Sequence, residues 1–198
     1  LIGFLSFVAI TGIIGIKEQA ATQAVISTLF ISLLPCFGFG VAIQTLVGNN
    51  LGAKKYNLAK IYAFETAKIA TLYTVFLGII FLSIPQIVLL IITTDQGIIE
   101  TAKPALRVAG FAQIFYAVGV VLANGLQAAG RTVFVMQAEV IANLLIFVPL
   151  AYLLGVTLQF GLVGAWLALP IYIIIYSATI LMKFNTKEWF KQIKIGSD

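Results

Sequence analysis

Glu139 and Asn143 stand four residues apart within an apolar run, the spacing that puts a carboxylate and an amide on one face of a helix. An ionisable group at membrane depth costs about 2.5 to 3.5 kcal/mol on insertion scales unless it is paired or hydrated, so such a pair points into a bundle or a watery cavity. That makes the two residues a candidate proton or cation site. Glu139 lies six residues past Val133, about 9 Å into its helix. The competing reading is structural: a carboxyl near one membrane surface, hydrogen-bonded by a neighbouring helix or snorkelling to water. A second set, Gln113, Tyr116, Asn124 and Gln127, falls on one stripe completed by Val120, because offsets of three and four return to nearly the same helical angle. Amides and a phenol offer hydrogen bonds without fixed charge. They can line a solute pathway or glue two helices together. Tyr172 and Tyr176 repeat the pattern more weakly and read as aromatic packing, while Glu65 and Lys68, three apart, read as a structural ion pair near one surface.

Other chemistries are excluded by composition. The chain has no histidine and one cysteine, Cys36, which cannot form a disulfide within the chain and reads as a small buried hydrophobe. A zinc site needs several Cys or His ligands, and a Ser-His or Cys-His couple needs an imidazole. Only two aspartates occur, Asp95 and Asp198, so a paired-acid metal site is missing, and no enzyme is expected. The glycines make no nucleotide site: Gly38-Phe39-Gly40 lacks a third glycine, and the run Gly48 to Lys55 has the wrong spacing for a phosphate loop. The net charge of +5 does not indicate nucleic acid, because the basic residues lie in loops beside apolar runs.

What must position the candidate residues is a set of membrane helices. Hydrophobic residues make up 61% of the chain and charged residues 10%, with a mean hydropathy of +1.08, far from a soluble domain in which roughly a quarter of residues are charged. The apolar runs predict an all-α membrane protein with six transmembrane helices at about residues 1–16, 22–47, 61–84, 105–128, 133–155 and 161–182, the first slightly short of a full span. Strands of a barrel would instead alternate over about ten residues. The lobe is expected over 1–182, with a basic tail over 183–198 in which Trp189 and Phe190 suggest an interfacial amphipathic stub. The segment Ile87 to Ile92 is too brief to cross again and is expected as a loop element at the outer interface. Eight Lys/Arg (54, 55, 60, 131, 183, 187, 191 and 194) fall on one side, against Lys17, Lys103 and Arg107 on the other. The positive-inside rule then makes loop 48–60 and the C-terminus cytoplasmic. Close helix approach is expected at Ala63/Ala67, Gly125/Ala129 and Gly164/Ala168.

Three stretches carry a family resemblance: Gly38 to Lys54 (GFGVAIQTLVGNNLGAK), Leu126 to Thr132 (LQAAGRT) and Gly161 to Trp166 (GLVGAW). In this order they resemble the multidrug and toxic compound extrusion (MATE) family, whose members have two six-helix lobes. Gly38, Gly40, Gly48, Gly52, Gly130, Gly161 and Gly164 are the matching glycines, with Gly48 and Gly52 expected to end a helix and let the chain turn. The six spans look like the C-terminal lobe, and the resemblance implies an N-terminal lobe of the same polypeptide preceding Leu1. Ala128 stands where the family often has glycine and Arg131 where an acid is common. Sodium-coupled members carry an acid on the fourth span at about the place of Tyr116, where this chain has none; the family's proton-driven pattern would instead put the main carboxylate in the N-terminal lobe and make Glu139 an auxiliary. The resemblance implies an antiporter of a prokaryotic plasma membrane exporting amphipathic or cationic drugs in exchange for H+ or Na+, without a cofactor. A lipid-linked oligosaccharide flippase of the same superfamily and a non-transporting membrane subunit are the alternatives.

Overall fold

The computed structural model describes residues 2–186, all of whose regular elements are helices. We label them α1 (Ile2–Ile14), α2 (Ile16–Gly52), α3 (Tyr56–Ser83), α4 (Pro85–Leu90), α5 (Gln96–Ala128), α6 (Thr132–Thr157) and α7 (Gly161–Asn185). Five of these are long and apolar enough to cross a membrane, and α1 is a shorter apolar helix of 13 residues. Only helices and closed barrels satisfy their own backbone groups in hydrocarbon, and these continuous apolar runs leave the helix as the solution. The connections 53–55, 129–131 and 158–160 are too short for anything but reversal of direction, so α2, α3, α5, α6 and α7 alternate up and down.

The helices run past the apolar windows. α2 starts at Ile16 rather than 22, and α5 starts at Gln96 rather than 105 because Asp95 caps it: Oδ1 accepts from the Gly97 and Ile98 amides at 2.8 and 3.2 Å. Residues expected as a loop over 87–92 instead form α4, opened by Pro85 at its first position, where a missing N–H costs nothing. The last span continues past 182 to Asn185. The expected amphipathic stub around Trp189 lies outside the described residues.

At the centre is α5, which packs against α2, α3 and α7. The stripe of α3 formed by Ala59, Ala63, Ala67, Ala70, Thr74 and Gly78 is buried, which lets the two backbones close up. The tightest point is missing from the expected small-residue pairs: a Cβ on Gly78 would lie 2.7 Å from the Gly110 carbonyl oxygen, and one on Gly110 would lie 2.8 Å from Phe81 Cβ. Two apolar clusters fill the bundle. One, toward the Asp95 end, gathers Phe7, Val25, Leu106 and Trp166; the other, toward the Lys54 end, gathers Ile43, Leu122, Leu126, Ile180 and Phe184.

Both turns at the basic end use the same closure. At the end of α5, Gly130 (φ 78°) donates to Gln127 O and Arg131 to Leu126 O, each at 2.9 Å. At the end of α2, Lys54 (φ 59°) donates to Leu51 O at 3.0 Å and Lys55 to Asn50 O at 2.8 Å. Gly52 is therefore the last residue of α2, as expected, while Gly48 lies inside the helix and the left-handed residue of the turn is Lys54. Lys54→Gly should raise the unfolding free energy in detergent by about 1 kcal/mol, the cost of a side chain in that conformation. Gly78→Val should lower it by about 1 to 3 kcal/mol by forcing α3 off α5. Thermal or denaturant unfolding of the purified protein checks both signs.

Candidate functional site

The fifth span is not a uniform helix. Between α-helical segments it carries π-helical stretches at Ala142–Phe147 and Leu153–Thr157, where Val148 N–H reaches back five residues to Asn143 O and Leu158 N–H to Leu153 O. Pro149 has no N–H, and its ring would press on the carbonyl four residues earlier; wider spacing around it relieves both defects. Glu139 stands just before the first wide turn and Asn143 inside it. Such single-turn bulges recur where a helix presents functional groups.

Glu139 faces α7. Its Oε1 accepts from the Tyr172 hydroxyl at 2.7 Å, and Tyr176, whose ring stacks with that of Tyr172 at 6.1 Å, lines the same recess as Glu139. That recess, of about 280 Å3, is also walled by Asn124, Gln127 and Thr132. Across α2, Gln44 Nε2 donates to Asn124 Oδ1 at 2.8 Å and to Gln127 Oε1 at 3.3 Å, while Asn124 Nδ2 donates to Val120 O at 2.8 Å. Gly40 makes the room, since a Cβ there would lie 3.0 Å from Asn124 Nδ2.

A second chamber of about 220 Å3 lies deeper and is mainly aromatic, with Phe7, Phe30, Tyr116, Phe147, Trp166 and Tyr172 among its walls. Phe7 meets Trp166 edge-on at 5.2 Å and Phe147 at 4.9 Å. Asn143 is the amide in this wall, its Oδ1 buried against Gly3 without a hydrogen-bond partner. Gly3 makes this position tenable, because a Cβ on it would collide with that oxygen. Tyr172 links the two spaces. Its ring walls the aromatic chamber and its hydroxyl holds the carboxylate of the other.

The stripe read from sequence is therefore divided. Asn124 and Gln127 sit at the acid-bearing recess and Tyr116 at the aromatic chamber, but Gln113 is 3% exposed and donates to Ser32 Oγ at 3.3 Å, bonding α5 to α2. Tyr73 from α3 donates to Ser32 O at 2.8 Å at the same level. Gln44 and Gly3 were missed; Gln44 sits inside the matching stretch, where its glycine neighbours drew the attention. Among the matching glycines, Gly130 and Gly161 have φ of 78° and 62° and Gly164 packs against Leu154 O and Phe160 Cβ, whereas Gly38 and Gly48 face open space. Gln113→Leu should cost about 1 kcal/mol of stability, the net worth of a buried hydrogen bond. A double-mutant cycle with Ser32→Ala should recover most of that as coupling energy; strict additivity would show that the bond does not hold α2 to α5.

The residues 1–153 match the MatE family model. Among curated relatives, the probable multidrug resistance protein NorM of Thermotoga maritima is 32% identical over 192 residues, which is 96% of this chain and 41% of the relative. Multidrug and toxin extrusion protein 2 of Mus musculus is 22% identical over 91% of this chain and 31% of its own length. The chain thus spans well under half the length of these relatives. Among solved structures, the eukaryotic MATE transporter AtDTX14 superposes with a TM-score of 0.87 at 19% identity, covering 98% of this chain and 44% of that one. An outward-facing MATE family multidrug resistance transporter gives 0.85 at 16% identity, covering 100% and 43%. The helices and their order agree with these matches: this is an integral membrane protein with the fold of one transporter lobe, and the chain belongs to the MatE family.

Proposed function

We propose that this chain is one lobe of a secondary antiporter that exports amphipathic, often cationic compounds in exchange for H+ or Na+. The observation that carries the reading is the position of Tyr172, which walls the aromatic chamber while donating at 2.7 Å to the Glu139 carboxylate. A charge change at Glu139 therefore reaches the chamber through one hydrogen bond. Ionised, the carboxylate accepts strongly from Tyr172; protonated or cation-bound, it is a weaker acceptor, which loosens its hold on the ring. The aromatic walls suit a flat or cationic compound. Asn124, Gln127 and Gln44 form a neutral amide path between the recess and the end that carries Lys54 and Arg131.

The N-terminal lobe of the same polypeptide would supply the opposite wall, which fits the share of each relative that this chain covers. Alternating access then rocks one bundle against the other about the shared seam. Such a cycle requires only that ion and compound bind the two states with different affinities, since a ligand of equal affinity shifts nothing. Lys54, Lys55, Lys60, Arg131 and Lys183 favour a cytoplasmic position for that end of the bundle.

In everted vesicles carrying the full-length protein, export of a fluorescent cationic dye should follow an imposed H+ or Na+ gradient. Glu139→Gln keeps an acceptor for Tyr172 but cannot ionise, and it should reduce gradient-driven transport at least about tenfold. Tyr172→Phe should weaken coupling while leaving dye binding largely in place. Wild-type transport by Glu139→Gln under both gradients would overturn the coupling role, and absence of any gradient-driven dye movement by the unmodified protein would overturn the antiporter reading.

A further inference from the structure

The back of the bundle carries charges that the seam does not use. Glu65 and Lys68 on α3 are joined Oε1 to Nζ at 2.6 Å, yet their side chains are 54% and 69% exposed. They lie nine and twelve residues along a 28-residue helix that begins at Tyr56. At 1.5 Å per residue that is about 14 and 18 Å along a helix about 42 Å long, against a hydrocarbon core of about 30 Å. A helix centred in that core would hold them about 8 and 12 Å inside it, but the uncharged run of α3 starts only at Ile69, which sets the pair at the edge of the hydrocarbon nearer the basic end.

They also face away from the polar seam. Lys68 stands at a groove of about 450 Å3 between α3, α5 and α7, walled by Phe64, Leu72, Val75, Val118, Leu122 and Leu181. Val118 and Leu122 flank Val120 of the seam at two residues on either side, about 200° around α5. Farther out on the same face of α3, Lys60 Nζ lies 5.7 Å from the centre of the Phe64 ring. An exposed ion pair at the edge of the hydrocarbon favours further polar company, and both members have capacity left. The Lys68 ammonium has three donors and the carboxylate several lone pairs, of which their bond uses one each.

We propose that this groove binds a zwitterionic aminophospholipid, its phosphate on Lys68, its ammonium on Glu65 and an acyl chain between α3, α5 and α7. The order of charges selects this lipid. From the membrane surface inward it presents ammonium, then phosphate, then chain; α3 presents Glu65, then Lys68 one turn deeper, then the apolar groove. A glycerol headgroup brings no cation for Glu65, a serine headgroup brings a second carboxylate beside its ammonium, and a quaternary choline has no N–H to donate. This site does not depend on the antiporter reading, and its occupancy is measured without transport.

The test places a photoreactive benzophenone side chain at Leu72 of the full-length protein in nanodiscs with equal amounts of phosphatidylethanolamine, phosphatidylglycerol and phosphatidylcholine, and identifies crosslinked lipid by mass. Phosphatidylethanolamine adducts should exceed each of the others by at least about threefold, less than 1 kcal/mol of preference. The enrichment should vanish in Lys68→Gln and also in the double exchange E65K/K68E, which keeps the ion pair and its stability but reverses its order. Equal labelling by the three lipids, labelling that survives the exchange, or crosslinks to another polypeptide segment in place of lipid would each overturn the proposal.

Discussion

A polar side chain inside hydrocarbon has to find a partner or water, and in this bundle α5 decides which. One of its faces carries Gln113, Tyr116, Asn124 and Gln127; the opposite face carries Val118 and Leu122. The polar face meets α2 through Ser32 and Gln44, each bonded to an amide of α5, and opens toward α6 and α7 where Glu139 and Tyr172 stand. α2 bonds the stripe at both levels, but Gln113 is fully enclosed there, whereas Asn124 and Gln127 also border the recess that holds Glu139.

This division depends on how closely the helices approach. Gly78 and Gly110 bring α3 onto α5, and Gly119 brings α5 onto α7, where a Cβ would lie 3.1 Å from Ser177 Cα. Gly3 and Gly40 do something different: each leaves space for an asparagine side chain, Asn143 and Asn124 respectively. Small residues here set the room available to polar groups as well as the distance between backbones. The fifth span adds a further adjustment, since the wide turns around Pro149 alter the angular position of the residues beyond Asn143.

Hydropathy made the membrane class and the approximate spans legible, because a run of apolar residues long enough to cross has few other uses. The helix ends were less legible. α2 and α5 continue into polar sequence, and there Asp95 as a cap and Lys54 in the left-handed conformation decide the boundaries rather than hydropathy. Helical periodicity placed the stripe on one face correctly, yet gave Gln113 and Asn124 the same role. What separates them is the neighbour at each depth, Ser32 for one and the amide-lined recess for the other. The exposed Glu65–Lys68 pair was readable from spacing; its place on the outer face required the packed bundle. The π-helical turns left no mark in composition beyond Pro149.

Water reaching one face of α5 at membrane depth, with Val118 and Leu122 on the opposite face shut in by α3 and α7, is what the proposed transport role requires of this bundle. Single cysteines placed along residues 113–127, in a Cys36→Ala background and in intact membranes, test it most directly when challenged with a membrane-impermeant thiol reagent. The account predicts modification at positions 116, 120, 124 and 127, protection at 113, where α2 closes the face, and protection at 118 and 122. Uniform protection of the stripe, or modification at 118 and 122 equal to that at 120 and 124, would contradict it.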